Sequence, residues 1–225
     1  MRREGVLEDI SDGRRYSLND MVKAGCSGCE GCSDCCQGMD DTIQLDPYDV
    51  VRMSEGCGKS FEALLQEGLI SLSVYDCIIL PHIAMVGEEN ACGFLNKEGR
   101  CSIHPYRPGI CRLFPLGRIY ENGTFSYFLQ TNQCSNPNPT KVKIKNWLDT
   151  GDTVKYENYI CKWHYFIKEM TDYIMEKESE SRAKVVNMLV LQNFYVKSFE
   201  KDTDFYEQFE QRLDSTKTAI LGEMI

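Results

Sequence analysis

Apolar residues recur at helical spacing in the last third of the chain. Tyr156, Tyr159, Ile160, Trp163, Phe166, Ile167, Met170, Tyr173 and Ile174 fall at i, i+3, i+4 and i+7, the stripe of an amphipathic helix. Arg182 to Lys197 is mostly apolar and predicts a largely buried helix; Phe205 through Phe209 to Leu213 predicts a third that ends in a frayed tail. Upstream the period changes. Residues 72–86 are apolar and β-branched enough for one or two strands, and Gly117 to Gln130 predicts a hairpin turning at Asn122-Gly123. Asp46 ahead of Pro47 predicts a helix N-cap and first turn, running to Gly56, and Ser60 to Glu67 predicts a short helix stopped by Gly68.

Pro137 and Pro139 separate the mixed region from the helical one. The pattern therefore predicts an α+β fold: a lead-in over residues 1–25 that looks loosely ordered, a cysteine-rich part over 26–145, and a helical region over 146–225 packed on it. At 225 residues, 42% hydrophobic and 11% aromatic, the chain can bury a core of its own.

The net charge of −9 argues against general nucleic-acid binding. Its distribution is uneven, since Arg100 to Lys145 holds seven basic residues and one acid, Glu121. That basic stretch reads either as an ordinary solvated face or as compensation for thiolate-bound metal, because four thiolates around a divalent ion leave about two excess negative charges. The most apolar run, Ile78 to Val86, is broken by Pro81 and His82 and is too short to span a bilayer. The start of the sequence carries no apolar export segment, so a cytoplasmic location with reduced thiols is expected.

Reduced thiols change the meaning of the cysteines. Cys26, Cys29, Cys32, Cys35 and Cys36 lie within eleven residues, and Cys92, Cys101, Cys111 and Cys134 follow in turn-rich, proline-stiffened loops. Vicinal Cys35 and Cys36 are unlikely to serve one tetrahedral ion together with Cys29 and Cys32, so ligands from the later loops, or more than one metal, are expected. Cys161 and His164 lie i, i+3 on the long predicted helix, a spacing that can chelate, although a small buried thiol beside Trp163 is the plainer reading. Cys57 and Cys77 read as packing residues. Asp40, Asp41 and Asp46 read as an acidic face unless turned inward. No serine-hydrolase elbow, Walker loop, zinc-protease helix or dinucleotide fingerprint is present.

Cys29-x2-Cys32-x2-Cys35-Cys36, followed by Cys92…Gly99-Arg100-Cys101-Ser102-Ile103…Arg107-Pro108…Cys111-Arg112…Phe114-Pro115, resembles the CxxCxxCC family of YkgJ-like proteins, described as zinc- or iron-chelating. The resemblance runs from Cys29 to about Cys134. It implies eight ligand cysteines: Cys29, Cys32, Cys35, Cys36, Cys92, Cys101, Cys111 and Cys134. Cys26 and Cys161 are candidates for a ninth and tenth. Ser33 and His104 depart from the usual glycine and tyrosine, which makes His104 an optional ligand. Zinc and an iron–sulfur cluster both suit such donors, as one or two centres, with Arg100, Arg107 and Arg112 as nearby cations. Three roles follow: metal binding or delivery; a metal-dependent, protein-modifying enzyme, since Cys29-Glu30…Cys35-Cys36-Gln37-Gly38 also resembles the flagellin lysine-N-methylases; or a module with structural metal whose C-terminal helices dock a protein partner. Neither nucleic acid nor membrane is expected as a partner.

Overall fold

Short polar side chains set the helix starts. In the computed structural model, which describes residues 7–26, 32–176 and 179–222, a first helical turn (α1, Leu7–Ile10) and a strand (β1, Met21–Gly25) precede the cysteine loop. Asp46 then caps α2 (Pro47–Cys57): its side chain accepts from Asp49 N while the Asp49 side chain accepts from Asp46 N, a reciprocal capping box. Ser60 caps α3 (Phe61–Gln66) in the simpler way, accepting from Ala63 N.

Four strands follow: β2 (Ile70–Tyr75), β3 (Ile78–Ile83), β4 (Met85–Val86) and β5 (Ala91–Cys92). The short helix α4 (Gly109–Leu113) leads into the hairpin of β6 (Leu116–Glu121) and β7 (Thr124–Leu129). Asn122 and Gly123, with φ of 52° and 77°, make the tight turn that twisted hairpins favour. After β8 (Thr140–Lys143) the chain is helical: α5 (Ile144–Trp147), α6 (Thr153–Met175), α7 (Glu180–Leu191) and α8 (Phe205–Leu221). The fold is α+β. Among the described residues the strands form antiparallel pairs only: β1–β8, β2–β3, β4–β5 and β6–β7.

Three elements differ from the sequence pattern. The described part of the lead-in is tied down, because β1 pairs with β8 and Tyr16 bridges to Tyr127. Helix α7 is two-faced: Val186 and Val190 are buried, but Met188 is 61% exposed. A π-helical turn over Gln192–Val196 then directs both Phe194 and Tyr195 inward. Helix α8 runs on to Leu221 because Thr216 and Ile220 are buried too.

One large core joins the two ends of the chain, with Met53, Leu64 and Ile78 packing in the same cluster as Phe166, Met170, Val190 and Phe209. Asn187 seals the β2–β3 turn, donating to Cys77 O and accepting from Ile79 N, and Tyr195 donates to Leu45 O across the core. A smaller core of Val22, Leu113, Leu116, Tyr127, Ile144 and Leu148 lies under β1 and the hairpin. No described helix is long and apolar enough to cross a membrane.

Candidate metal centre

The first cysteine loop leaves β1 at Cys26; Cys29 lies outside the described residues. Asp34–Cys36 form one 3-10 turn, closed by Cys36 N on Ser33 O. The chain leaves that turn with Gln37 bridging to Ala91 and Gly38 N donating to Asn90 O. Those two contacts carry Cys35 and Cys36 to the strand that bears Cys92.

The second loop is a hairpin in miniature. Cys92 pairs with Met85, and Leu95 bridges to Cys101. Between them the Asn96 side chain accepts from Glu98 N and Arg100 N, and Ser102 N donates to Phe94 O. A polar turn backed by buried Phe94 thus holds Cys92 and Cys101 as neighbours. After a 3-10 turn at His104–Tyr106, Pro108 precedes α4, which presents Cys111.

These loops surround a cavity of about 500 Å³ lined by Cys26, Cys32, Cys35, Cys36, Cys92, Cys101 and Cys111. Cys134 joins Cys26, Cys32 and Cys35 around a small adjoining cleft. The thiols fall into two neighbourhoods. Cys111 is raised well above the ordinary thiol pKa, by burial first and then by the charges of Cys35, Cys92, Asp49 and Cys101. Cys134 is raised by burial and by Cys32, Cys26 and Cys35. Cys35 belongs to both; its hydrogen bond with Cys36 raises its thiol, and burial adds to that. Burial also raises Cys92 and Cys101, with Arg107 and Arg100 opposing the rise at Cys101.

Among the described residues Cys32, Cys35, Cys36, Cys92, Cys101, Cys111 and Cys134 are in no disulfide. Among the described residues no three His, Cys, Asp or Glu side chains are already gathered at a single metal position. The sulfurs stand around a shared space. Their chemistry fits a soft or borderline metal: thiolates converging from three separate loops, with arginine charge beside Cys101.

The remaining candidates fall elsewhere. Cys161 hydrogen-bonds to Gly123 O at 3.4 Å, and His164 stacks on Tyr120 with ring centroids 3.6 Å apart. Neither lines the cavity. His104 does, with Arg107 Nη1 2.8 Å from its Nδ1; burial and the neighbouring arginine charges depress its pKa. Cys57 and Cys77 pack against the large core.

Arg112 points away from the sulfurs. Its side chain is 1% exposed and lies against Asp49, with Nη2 3.9 Å from Oδ1, donates to Asp149 O, and covers the Tyr156 ring. Asp46 and Asp49 are therefore no acidic face. Asp49 Oδ1 also accepts from Gly109 N at 2.6 Å, while Asp46 accepts from Tyr159. Burial raises both carboxyls, and at Asp49 the charge of Asp46 adds to it. This pair anchors the first turn of α4, two residues before Cys111. Gly109 is required there, since a Cβ would fall 2.3 Å from Tyr156 Oη. Only the Asp46-x2-Asp49 cap spacing could have flagged the pair from sequence, and it says nothing of burial. Arg118, also on the cavity wall, had no sequence signal beyond its charge.

No curated protein and no solved structure matches the chain. A family model does, over residues 28–147, and its domain is described as a "putative zinc- or iron-chelating domain". That span covers more than half of the sequence and contains every cysteine of the cavity and cleft except Cys26. The chain belongs to the CxxCxxCC family.

Proposed function

We propose that the protein binds zinc or iron through two thiolate sets that share one neighbourhood. The inner set is Cys35, Cys92, Cys101 and Cys111; the outer draws on Cys26, Cys29, Cys32 and Cys134, with Cys36 beside both. The observation that carries this reading is the convergence of cysteine side chains from separate loops on one cavity and its cleft. Arg100 and Arg107 supply positive charge at Cys101, which favours its thiolate over its thiol. Metal held in this way joins loops that have little secondary structure of their own; structural zinc contributes on the order of 10–16 kcal/mol of apparent binding energy in small domains. Cys161 stays outside both sets.

Anaerobic purification followed by elemental analysis and a visible spectrum tests the assignment. Brown protein with inorganic sulfide identifies an iron–sulfur centre; colourless protein with stoichiometric zinc identifies zinc. Protein that takes up neither metal after reconstitution overturns the reading.

A second reading, an enzyme, is favoured by the space beside the thiols. A centre closed by four cysteines fills its own coordination sphere and has no use for a ligand-sized cavity. About 500 Å³ lies within the range of small-molecule sites, roughly 300–1,000 Å³. Metal bound at the sulfurs of that cavity would supply Lewis-acid or electron-transfer chemistry to a substrate held next to it.

A further inference from the structure

Part of the cavity wall has different chemistry. Opposite in character to the sulfurs, it includes Arg118, Tyr120, Ile160 and Trp163. The guanidinium of Arg118 is caged by rings, with its carbon 5.6 Å from the Phe125 centroid, 5.9 Å from Tyr127 and 5.6 Å from Tyr156. Its Nη2 donates to Tyr156 Oη at 3.3 Å, and its Nε is buried with no hydrogen-bond partner.

An enclosed guanidinium normally carries a carboxylate with it, because an unpaired buried charge is costly. Among the described residues no carboxylate lies within 4.0 Å of Arg118 to form an ion pair. The acids that feel its charge are committed elsewhere: Asp46 to Asp49 N and Tyr159, and Glu157 to Tyr127, while Asp49 holds Gly109 N, Asp46 N and Arg112. The cysteines are not its partners either, since the strongest electrostatic influences on Arg118 come from Tyr156, Tyr120 and Tyr127. Arg100 and Arg107 serve the sulfurs instead.

We propose that Arg118 anchors the carboxylate of a small organic acid whose apolar body lies against Ile160 and Trp163 and whose far end reaches the thiolate part of the cavity wall. A single planar guanidinium set among aromatic rings and beside the Tyr156 hydroxyl suits a monoanionic carboxylate, which it binds as a fork. A dianionic phosphate would call for more than one cation. The proposal rests on the open-site reading above only for what lies beside the sulfurs; the carboxylate subsite itself needs no metal.

Benzoate is the probe, with benzamide as its neutral isostere and phenylphosphonate as the dianionic control. Both tryptophans of the chain, Trp147 and Trp163, line the cavity, so intrinsic fluorescence reports occupancy, with calorimetry for affinity. Metal-free and metal-loaded protein should both bind benzoate at least tenfold more tightly than either control. Arg118→Gln should lose that preference, and Arg118→Lys should keep part of it. Equal affinity for benzoate and benzamide in the wild-type protein, absence of benzoate binding, or a preference for phenylphosphonate overturns the proposal even if Arg118→Gln fails to fold. Metal content measured on the same samples keeps the two readings apart: protein that binds metal but not benzoate sinks this proposal alone, and the reverse sinks only the metal assignment.

Discussion

The inner thiols and the outer thiols are built by different physics. Cys92, Cys101 and Cys111 stand on a strand, a bridged turn and a helix, each fastened to buried groups such as Phe94 and Asp49. Cys26, Cys32 and Cys134 sit on loops. Cys134 is exposed, and the contacts across that neighbourhood include the 3.4 Å approach of Cys32 Sγ to Ser135 Oγ and the 3.4 Å bond from Asn136 to Gly25 O. The fold fastens the backbone that carries the inner set, although among the described residues no three ligands yet share one metal position, whereas the described outer cysteines sit on loops. Metal should therefore hold the inner set to a scaffold that survives without it, and should itself close the outer set.

Replacing Cys111 with Ser breaks the inner set and should give the largest effect. Metal affinity at that centre should fall more than about 100-fold, beyond the 10–100-fold typical of losing an outer-sphere partner; competition with a chromogenic chelator reads it. Asp49→Ala attacks the scaffold instead. It leaves Gly109 N–H without its acceptor and Arg112 without its ion-pair partner, and should cost about 3–5 kcal/mol in denaturant unfolding. Gly109→Ala forces a methyl group towards Tyr156 Oη and should cost about 1–3 kcal/mol by the same measurement.

Burial raises the carboxyl of Asp49 above its unfolded value, so the folded metal-free protein holds a proton that the unfolded chain has already released. Stability should then fall as pH rises from the unfolded carboxylate pKa towards the raised folded one, by at most about 1.4 kcal/mol per pH unit. Asp49→Asn should flatten that slope in a pH series of melts. The smallest effect belongs to the outer set. Cys134→Ser, at an exposed site, should change the stability of the metal-free protein by no more than about 0.5 kcal/mol while still reducing metal content.

Local signals made much of this fold legible. Asp46 and Pro47 marked the start of α2, Asn122-Gly123 marked the hairpin, and the stripe from Tyr156 to Ile174 marked α6, because each depends on neighbours within one turn or one pair of strands. Cysteine spacing named the residues around the cavity for a similar reason, as closely spaced thiols have few other uses in a reducing setting. What stayed hidden depends on distant partners. The pairing of β1 with β8 joins residues more than a hundred positions apart, and it turned an expected lead-in into part of the smaller core. Asp46 read as part of an acidic face until α4 and α6 closed over it and its neighbour Asp49. Cys161 shares its helical spacing with a chelating pair, yet the hairpin turn at Gly123 takes its thiol.

X-ray absorption at the zinc or iron edge of the reconstituted protein reads the atoms bound to the metal. Thiolate ligation predicts a first shell dominated by sulfur, at about 2.3 Å for zinc, which loses sulfur in Cys111→Ser and is unchanged in Cys161→Ser. A first shell of nitrogen and oxygen alone, or one indifferent to Cys111, would contradict it.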